Sequence, residues 1–435
     1  MGQTEASETG RALIEECQTL RKAGDTPTAL ARCRAFLARE PHAVGVLRFA
    51  GICAAELGEL DAATQYLEQA TGLAPQHSQT HNNLGNVRKL RGESAAALAS
   101  YARAAATDPE NALAHFNHGL ALYEAKDYAA AEASYARAIA LKPTFADAHN
   151  NRGLALRRML RADDALASYQ RAIELQPRHA EAYENLGAIY RDRDDSAQAS
   201  QYFERAIELD PRRDHLRHII ASMAGITTQA PPPRYIEHLF DRFADDFDKT
   251  LTEELEYRAP SAVKSVVVRH APPARRFANA VDLGCGTGLC GVELRPLCEK
   301  LLGIDLSTKM LDGARAKHIY DELVQGELVP ALADTHATFD LFTAADVFVY
   351  LGDLVPIFAR VAAQSRPGAL FAFTTEISNQ QNYELQPNGR YAHARDYVES
   401  LAAGAGFARV ECERVDLRLE HGAAVPGFCY LFRKD

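Results

Sequence analysis

Phe277-Ala-Asn-Ala-Val-Asp-Leu-Gly-Cys-Gly-Thr-Gly288 is the stretch that decides the reading of this 435-residue chain. Its first half is an apolar run of strand length. Its second half sets glycines at 284, 286 and 288, where a helix opens. Glycine removes the Cβ atoms that would hold a ligand away from the backbone. Twenty-three residues past Asp282, the run Leu301-Leu-Gly-Ile-Asp305 forms a second apolar strand that ends on a carboxylate. Strand, glycine turn, helix, strand and acid together make a nucleotide-binding unit, with the ligand in the crevice beyond the strand ends. A nicotinamide dinucleotide fingerprint wants two residues between its second and third glycines. Here Thr287 stands alone between them.

Around this unit, residues 230–435 alternate strand and helix. Candidate strands are Ala278–Leu283, Leu301–Asp305, Phe339–Ala344, Leu370–Thr375, Ala408–Leu417 and Phe428–Arg433. That order predicts a three-layer α/β sandwich. The last two strands are separated by a glycine-bearing loop around Gly422 and Gly427, so they read as a terminal β-hairpin.

Residues 10–213 repeat with a period of 34. Glycine recurs at Gly51, Gly85, Gly119, Gly153 and Gly187, and alanine at Ala63, Ala97, Ala131, Ala165 and Ala199. Proline recurs at Pro41, Pro75, Pro109, Pro143, Pro177 and Pro211, while Tyr101, Tyr135, Tyr169 and Phe203 share one register. The pattern resembles the tetratricopeptide repeat, an all-α solenoid of paired helices. The small residues let the helices of a pair approach, and the proline stops the second helix. Six repeats are expected, with a degenerate first one and a capping helix over 214–223. Asn83, Asn117, Asn151 and Asn185 keep the same period and fall on first helices, which line the concave wall. An amide ladder there suits the backbone of a bound protein or peptide, and it equally suits bridges between repeats. Ala230-Pro-Pro-Pro-Arg234 breaks the helical pattern. The expected division is a tail over 1–9, repeats over 10–228 and the α/β domain over 229–435.

The spelling Asp282-Leu-Gly-Cys-Gly-Thr-Gly288 followed by Asp305 resembles the class I S-adenosylmethionine-dependent methyltransferases. The resemblance implies a Rossmann-like fold, S-adenosyl-L-methionine as cofactor and S-adenosyl-L-homocysteine as product. It assigns the methionyl end to Asp282, Gly284, Cys285, Gly286 and Gly288, and the ribose hydroxyls to Asp305. Leu306 and Met310 would flank the adenine, with Glu327 and Leu328 at its edge. Asp346 follows the fourth strand, beside the transferable methyl. On the acceptor side the candidates are Tyr350, Glu376, Arg390, Tyr391 and His393, with His393 as general base because imidazole titrates near neutrality. Residues 235–248, with Phe240, Phe243 and Phe247 at helical spacing, are similar to the N-terminal lid of such enzymes. Nearly the whole chain is similar to a bacterial group of repeat-containing methyltransferases; no acceptor comes with that likeness.

Composition narrows the alternatives. Net charge is −10, with 58 acidic and 48 basic residues, so no global footprint for nucleic acid exists. No apolar run reaches the ~20 residues that span a bilayer. The first residues lack a secretory pattern, and eight scattered cysteines without Cys-x-x-Cys indicate neither disulfides nor a metal site. A cytoplasmic protein is expected. Three functions compete: methylation of a protein or peptide recruited by the repeats, methylation of a small molecule with the repeats docking a partner or a second copy, and cofactor binding without transfer.

Overall fold

The computed structural model describes residues 8–243, 247–249, 251, 255–271, 276–420 and 422–435. It divides into two compact units, with the division between Leu209 and Asp210.

The first unit is six helix pairs. Glu8–Lys22 pairs with Thr26–Leu37, Val44–Glu56 with Leu60–Leu73, and Ser78–Leu90 with Ser94–Thr107. Ala112–Glu124, Ala146–Arg158 and Ala180–Asp192 pair with Tyr128–Leu141, Ala162–Leu175 and Ser196–Leu209. Each periodic glycine lies under the periodic large side chain sixteen residues on. A Cβ at Gly153 would come 2.5 Å from the Tyr169 ring, and one at Gly187 would come 2.6 Å from Phe203. Tyr135, Tyr169 and Phe203 are at most 1 % exposed, so this contact lies at the centre of their pairs. Asn111 and Asp127 cap their helices by accepting from Ala114 and Ala130 amides. A second periodic feature is less visible in sequence. His81, His115 and His149 each direct Nε2 at the carbonyl of the proline six residues earlier, at 2.9–3.1 Å.

Among the described residues the second unit is built on nine strands: β1 (Phe277–Leu283), β2 (Cys298–Asp305), β3 (Glu322–Gln325), β4 (Phe339–Ala344), β5 (Ser365–Ile377), β6 (Tyr383–Leu385), β7 (Tyr391–His393), β8 (Phe407–Glu420) and β9 (Ala423–Lys434). The order β3-β2-β1-β4-β5 is parallel throughout. β9 then runs antiparallel to β5, and β8 antiparallel to β9, which is the expected terminal hairpin. β6 and β7 are a short insertion absent from the sequence reading; β7 joins only Glu376 and Ile377 of β5. At three residues each, they carry too little periodicity to be read.

Side-chain alternation on β5 serves both layers. Phe371 and Phe373 pack with Phe342, Phe348, Phe358 and Phe432 on one face. Leu370 and Ala372 meet Val263, Val266 and Val267 of helix Ala259–His270 on the other. Each fully buried large side chain contributes about 1.5–3 kcal/mol. All the parallel strands end on one side, and the glycine turn, Asp305, Asp346 and Glu376 emerge there.

The segment ahead of the prolines packs within this second unit. Helix His215–Met223, expected as a cap on the last repeat, places His218 with Nε2 2.9 Å from the Gly389 carbonyl and its ring against Tyr235 and Tyr391. Thr228 and Tyr391 share a hydroxyl bond of 2.6 Å. The Gln229 carbonyl accepts from the amides of Gly352 and Asp353, at 3.1 and 2.8 Å. Gly352 has to be glycine for this: a Cβ would stand 2.7 Å from that carbonyl oxygen. Pro233 opens the next helix, Pro233–Phe243. The side chains of Phe243 and Phe247 lie outside the described residues.

Candidate active site

The turn after β1 has three consecutive left-handed glycines in alternate positions: Gly284 (φ 67°), Gly286 (φ 53°) and Gly288 (φ 93°). A Cβ on Gly284 would sit 2.7 Å from Val347, so the turn lies directly beside the segment that follows β4. Cys285 is 5 % exposed and its amide donates to the Ile304 carbonyl, which ties the turn to β2. The Gly288 amide donates back to the Cys285 carbonyl at 2.8 Å, and the three glycines leave the turn bare of side chains where a ligand's polar end can approach.

Asp305 accepts from the Gly286 amide through one oxygen and from the Ser307 amide through the other, both at 2.9 Å. Burial pushes its carboxyl up, against the opposing pull of those amides. Both oxygens keep lone pairs for two vicinal hydroxyls. Asp282 is more deeply enclosed, at 1 % exposure. Tyr320 Oη donates to it at 2.7 Å and Thr343 Oγ1 at 2.9 Å. Burial raises its pKa to about 6 while these donors resist the rise. Tyr320 and Thr343 went unremarked in the sequence because nothing local marks them; only the pairing of β1 with β4 and the packing of Tyr320 under Gly291 bring them to Asp282.

Next to Asp305, Leu306 is half-buried and Gln325 Nε2 donates to its carbonyl. The Gly326 amide donates to the Asp305 carbonyl at 3.0 Å, so Glu327 and Leu328 stand near that strand end. Leu328 half-packs on the core and Glu327 is exposed. Met310 is different: it is 0 % exposed, turned inward on the helix that Ser307 caps. Its expected place against an adenine is therefore corrected to one in the core.

Across the glycine turn, Asp346 meets three of the five acceptor-side candidates, Tyr350, Glu376 and Arg390. Asp346 adopts φ 57°, rare for a non-glycine residue, and its amide donates to Thr374 Oγ1 at 2.8 Å. Arg418 of β8, 2 % exposed, holds both Asp346 oxygens through Nη1 at 2.7 Å, Glu376 through Nη2 and Glu420 through Nε at 2.9 Å. Arg390 adds a second bond to Glu420 and lies 3.7 Å from Glu376. Burial pushes Glu376 up, opposed by Arg418 and Arg390. Tyr350 packs edge-on to Phe240 at 5.1 Å, and burial plus the Asp346 charge keeps its phenol protonated. Tyr257 Oη donates to the Ala345 carbonyl at 3.1 Å, alongside Asp346.

His393 does not join them. It is 0 % exposed, with Nε2 3.1 Å from the Gly352 carbonyl and its ring stacked on Tyr397. Burial lowers its pKa to about 4. A carbonyl only accepts, so Nε2 carries the proton, and Nδ1 is enclosed without a partner among the described residues. The general-base expectation is corrected: this imidazole closes the inserted hairpin.

In the repeats, Asn117 Nδ2 donates to Asn82 at 2.7 Å and Asn185 Nδ2 to Asn150 at 2.9 Å, each across one repeat boundary. Asn151 Nδ2 donates to the Asp147 carbonyl at 2.9 Å. Asn83 Nδ2 is enclosed without a partner among the described residues. No helix among the described residues is long and apolar enough to cross a membrane.

Comparison with known proteins agrees with this layout. A methyltransferase domain model matches residues 280–368, and tetratricopeptide repeat models match 15–78, 83–144 and 144–212. Methyltransferase-like protein 27 of Homo sapiens is 38 % identical over 87 residues, 20 % of this chain and 35 % of that protein. The malonyl-[acyl-carrier protein] O-methyltransferase of Enterobacter lignolyticus is 32 % identical over 28 % of this chain and 46 % of its own length. The ubiquinone biosynthesis O-methyltransferase of Thiobacillus denitrificans is 31 % identical over 32 % and 66 %. The chain thus spans roughly a third to two thirds of the relatives it matches. The glycine cradle that a Cβ would fill and the oriented carboxylate of Asp305 fit the cofactor of that domain class. The chain is a tetratricopeptide-repeat region joined to a class I S-adenosylmethionine-dependent methyltransferase domain, whose cofactor is S-adenosylmethionine and whose spent form is S-adenosylhomocysteine.

Proposed function

We propose that this domain methylates an uncharged oxygen or nitrogen nucleophile on a small molecule, with the repeats docking a partner protein. The bound cofactor supplies a methyl group on a sulfonium. The glycine turn and Asp305 hold and orient it, so that proximity and alignment do most of the work. Asp346 precedes Val347, which packs on Gly284 of the turn, and is the candidate to take the nucleophile's proton. Tyr350, kept as a neutral phenol, donates to the acceptor, and Tyr257 and Phe240 help exclude water.

The observation that carries this reading is the charge balance around Arg418. Three carboxylates, Asp346, Glu376 and Glu420, meet the two guanidiniums of Arg418 and Arg390. The cluster is net negative, and Arg418 already serves a carboxylate at each nitrogen. An acceptor carboxylate would meet repulsion there; a hydroxyl or amine would not. The likeness to a ubiquinone biosynthesis O-methyltransferase supports a small acceptor, while the name of the malonyl-[acyl-carrier protein] O-methyltransferase points to an acyl group on a carrier protein. Methylation of a protein held by the repeats has less behind it, because Asn117 and Asn185 spend amide donors on bridges between repeats.

The test is transfer of a tritiated methyl to the separated metabolite and protein fractions of a host lysate, with the labelled species identified by mass. Label confined to protein side chains, or to carboxyl esters, would overturn the proposal.

A further inference from the structure

Asp248 lies outside the sheet, in the short turn Phe247–Lys249, yet its carboxylate reaches the cofactor turn. Thr287 Oγ1 donates to Asp248 Oδ1. Lys317 Nζ donates to Asp248 Oδ2 and to the Thr287 carbonyl, both at 2.6 Å. Thr287 is 4 % exposed and stands between the left-handed Gly286 and Gly288. Its methyl side is fitted as well: a Cβ on Gly313 would be 3.1 Å from Thr287 Cγ2.

Two glycines flanking one residue leave its peptide planes with wide rotational freedom. Here that residue is gripped at its hydroxyl, its carbonyl and its methyl. Lys317 also closes the C-terminal end of helix Thr308–Ala316, whose other end begins at Ser307 beside Asp305. One ion pair therefore joins the methionyl side of the cofactor site to its ribose side.

We propose that Asp248 is a positioning residue for cofactor binding: with Lys317 it locks Thr287, and so presets the backbone path of the Gly286–Gly288 turn against which the cofactor rests. The inference rests on the cofactor assignment and is independent of the acceptor. The Asp248 and Lys317 side chains are 42 % and 25 % exposed, so the pair adds little to global stability. Its effect belongs in affinity.

The test is calorimetric titration of the full chain with S-adenosylhomocysteine. Asp248→Ala and Lys317→Met should each weaken binding about tenfold, the yield of one charge-assisted contact. The double variant should fall within about twofold of the weaker single, because both disrupt one unit. Asp248→Glu should restore part of the affinity, and ligand-free melting should move by no more than ~2 °C in any of them. Unchanged affinity in Asp248→Ala overturns the proposal. So does a matching loss of affinity and melting temperature that Asp248→Glu does not repair, since that marks a merely structural residue. If the unaltered chain fails to bind, the cofactor assignment falls instead.

Discussion

The two halves of this chain solve the same problem, burying apolar surface, in opposite ways. The repeat unit does it five times with nearly the same local contact, glycine against a large side chain sixteen residues on. The methyltransferase unit does it once, with Phe342, Phe358, Phe371, Phe373 and Phe432 drawn from across some ninety residues of sequence. Damage in the first should stay within a repeat and its neighbours; damage in the second should reach the whole sheet and the site on its edge.

The sharpest way to break this contrast is at its centre. Phe373→Ala should cost about 3–5 kcal/mol and remove cofactor binding together with folding of the second unit, as followed by circular dichroism in urea. Retained binding would mean the sheet tolerates local loss as the repeats do. Arg418→Met leaves Asp346 and Glu376 facing each other in a buried site and should cost about 3–5 kcal/mol. Methyl transfer should fall further than cofactor affinity, because the glycine turn is untouched.

Titration gives an intermediate effect. His393 has its folded pKa lowered to about 4, so as pH falls below its ordinary 6.5 the unfolded chain takes the proton first. Stability then declines between pH 6.5 and about 4. Asp282 has the opposite sign: its folded pKa is raised to about 6, so its contribution is lost as pH rises from 3.8 to 6. His393→Leu should flatten the acid-side loss and leave methyl transfer at neutral pH in place; abolished transfer would return the imidazole to the chemistry. The smallest effect belongs to the repeats. Gly153→Ala should cost about 1–3 kcal/mol, confined to the repeat transition. Pairing it with Tyr169→Leu should recover much of that, and an altered cofactor affinity would contradict the locality of the contact.

Legibility in the sequence follows the same division. Period-34 glycines and prolines state the solenoid because each contact lies within one repeat. Asp282, Gly284, Gly286, Gly288 and Asp305 are legible because turn and strand end sit in one local supersecondary unit. Arg418 was passed over, and His393 was placed in the wrong company, because their roles depend on β8 and β7 meeting the ends of β4 and β5, up to 72 residues away. Met310 has the spacing of a site residue, yet helix rotation turns it inward. β6 and β7 are too short for any period to register.

The bond from the Gln229 carbonyl to Gly352 and Asp353 has a practical corollary for anyone dissecting the chain. Scissors placed at the proline run would produce a fragment lacking Gln229, which anchors the loop that leads back to Tyr350 and Asp346, and lacking His218 and Thr228, which anchor Gly389 and Tyr391 of the inserted hairpin. A piece starting at 210 keeps its own leader sequence, and one starting at 230 should bind S-adenosylhomocysteine while transferring methyl poorly. Silence from the shorter piece would then report a missing brace, and would say nothing about whether the solenoid delivers substrate.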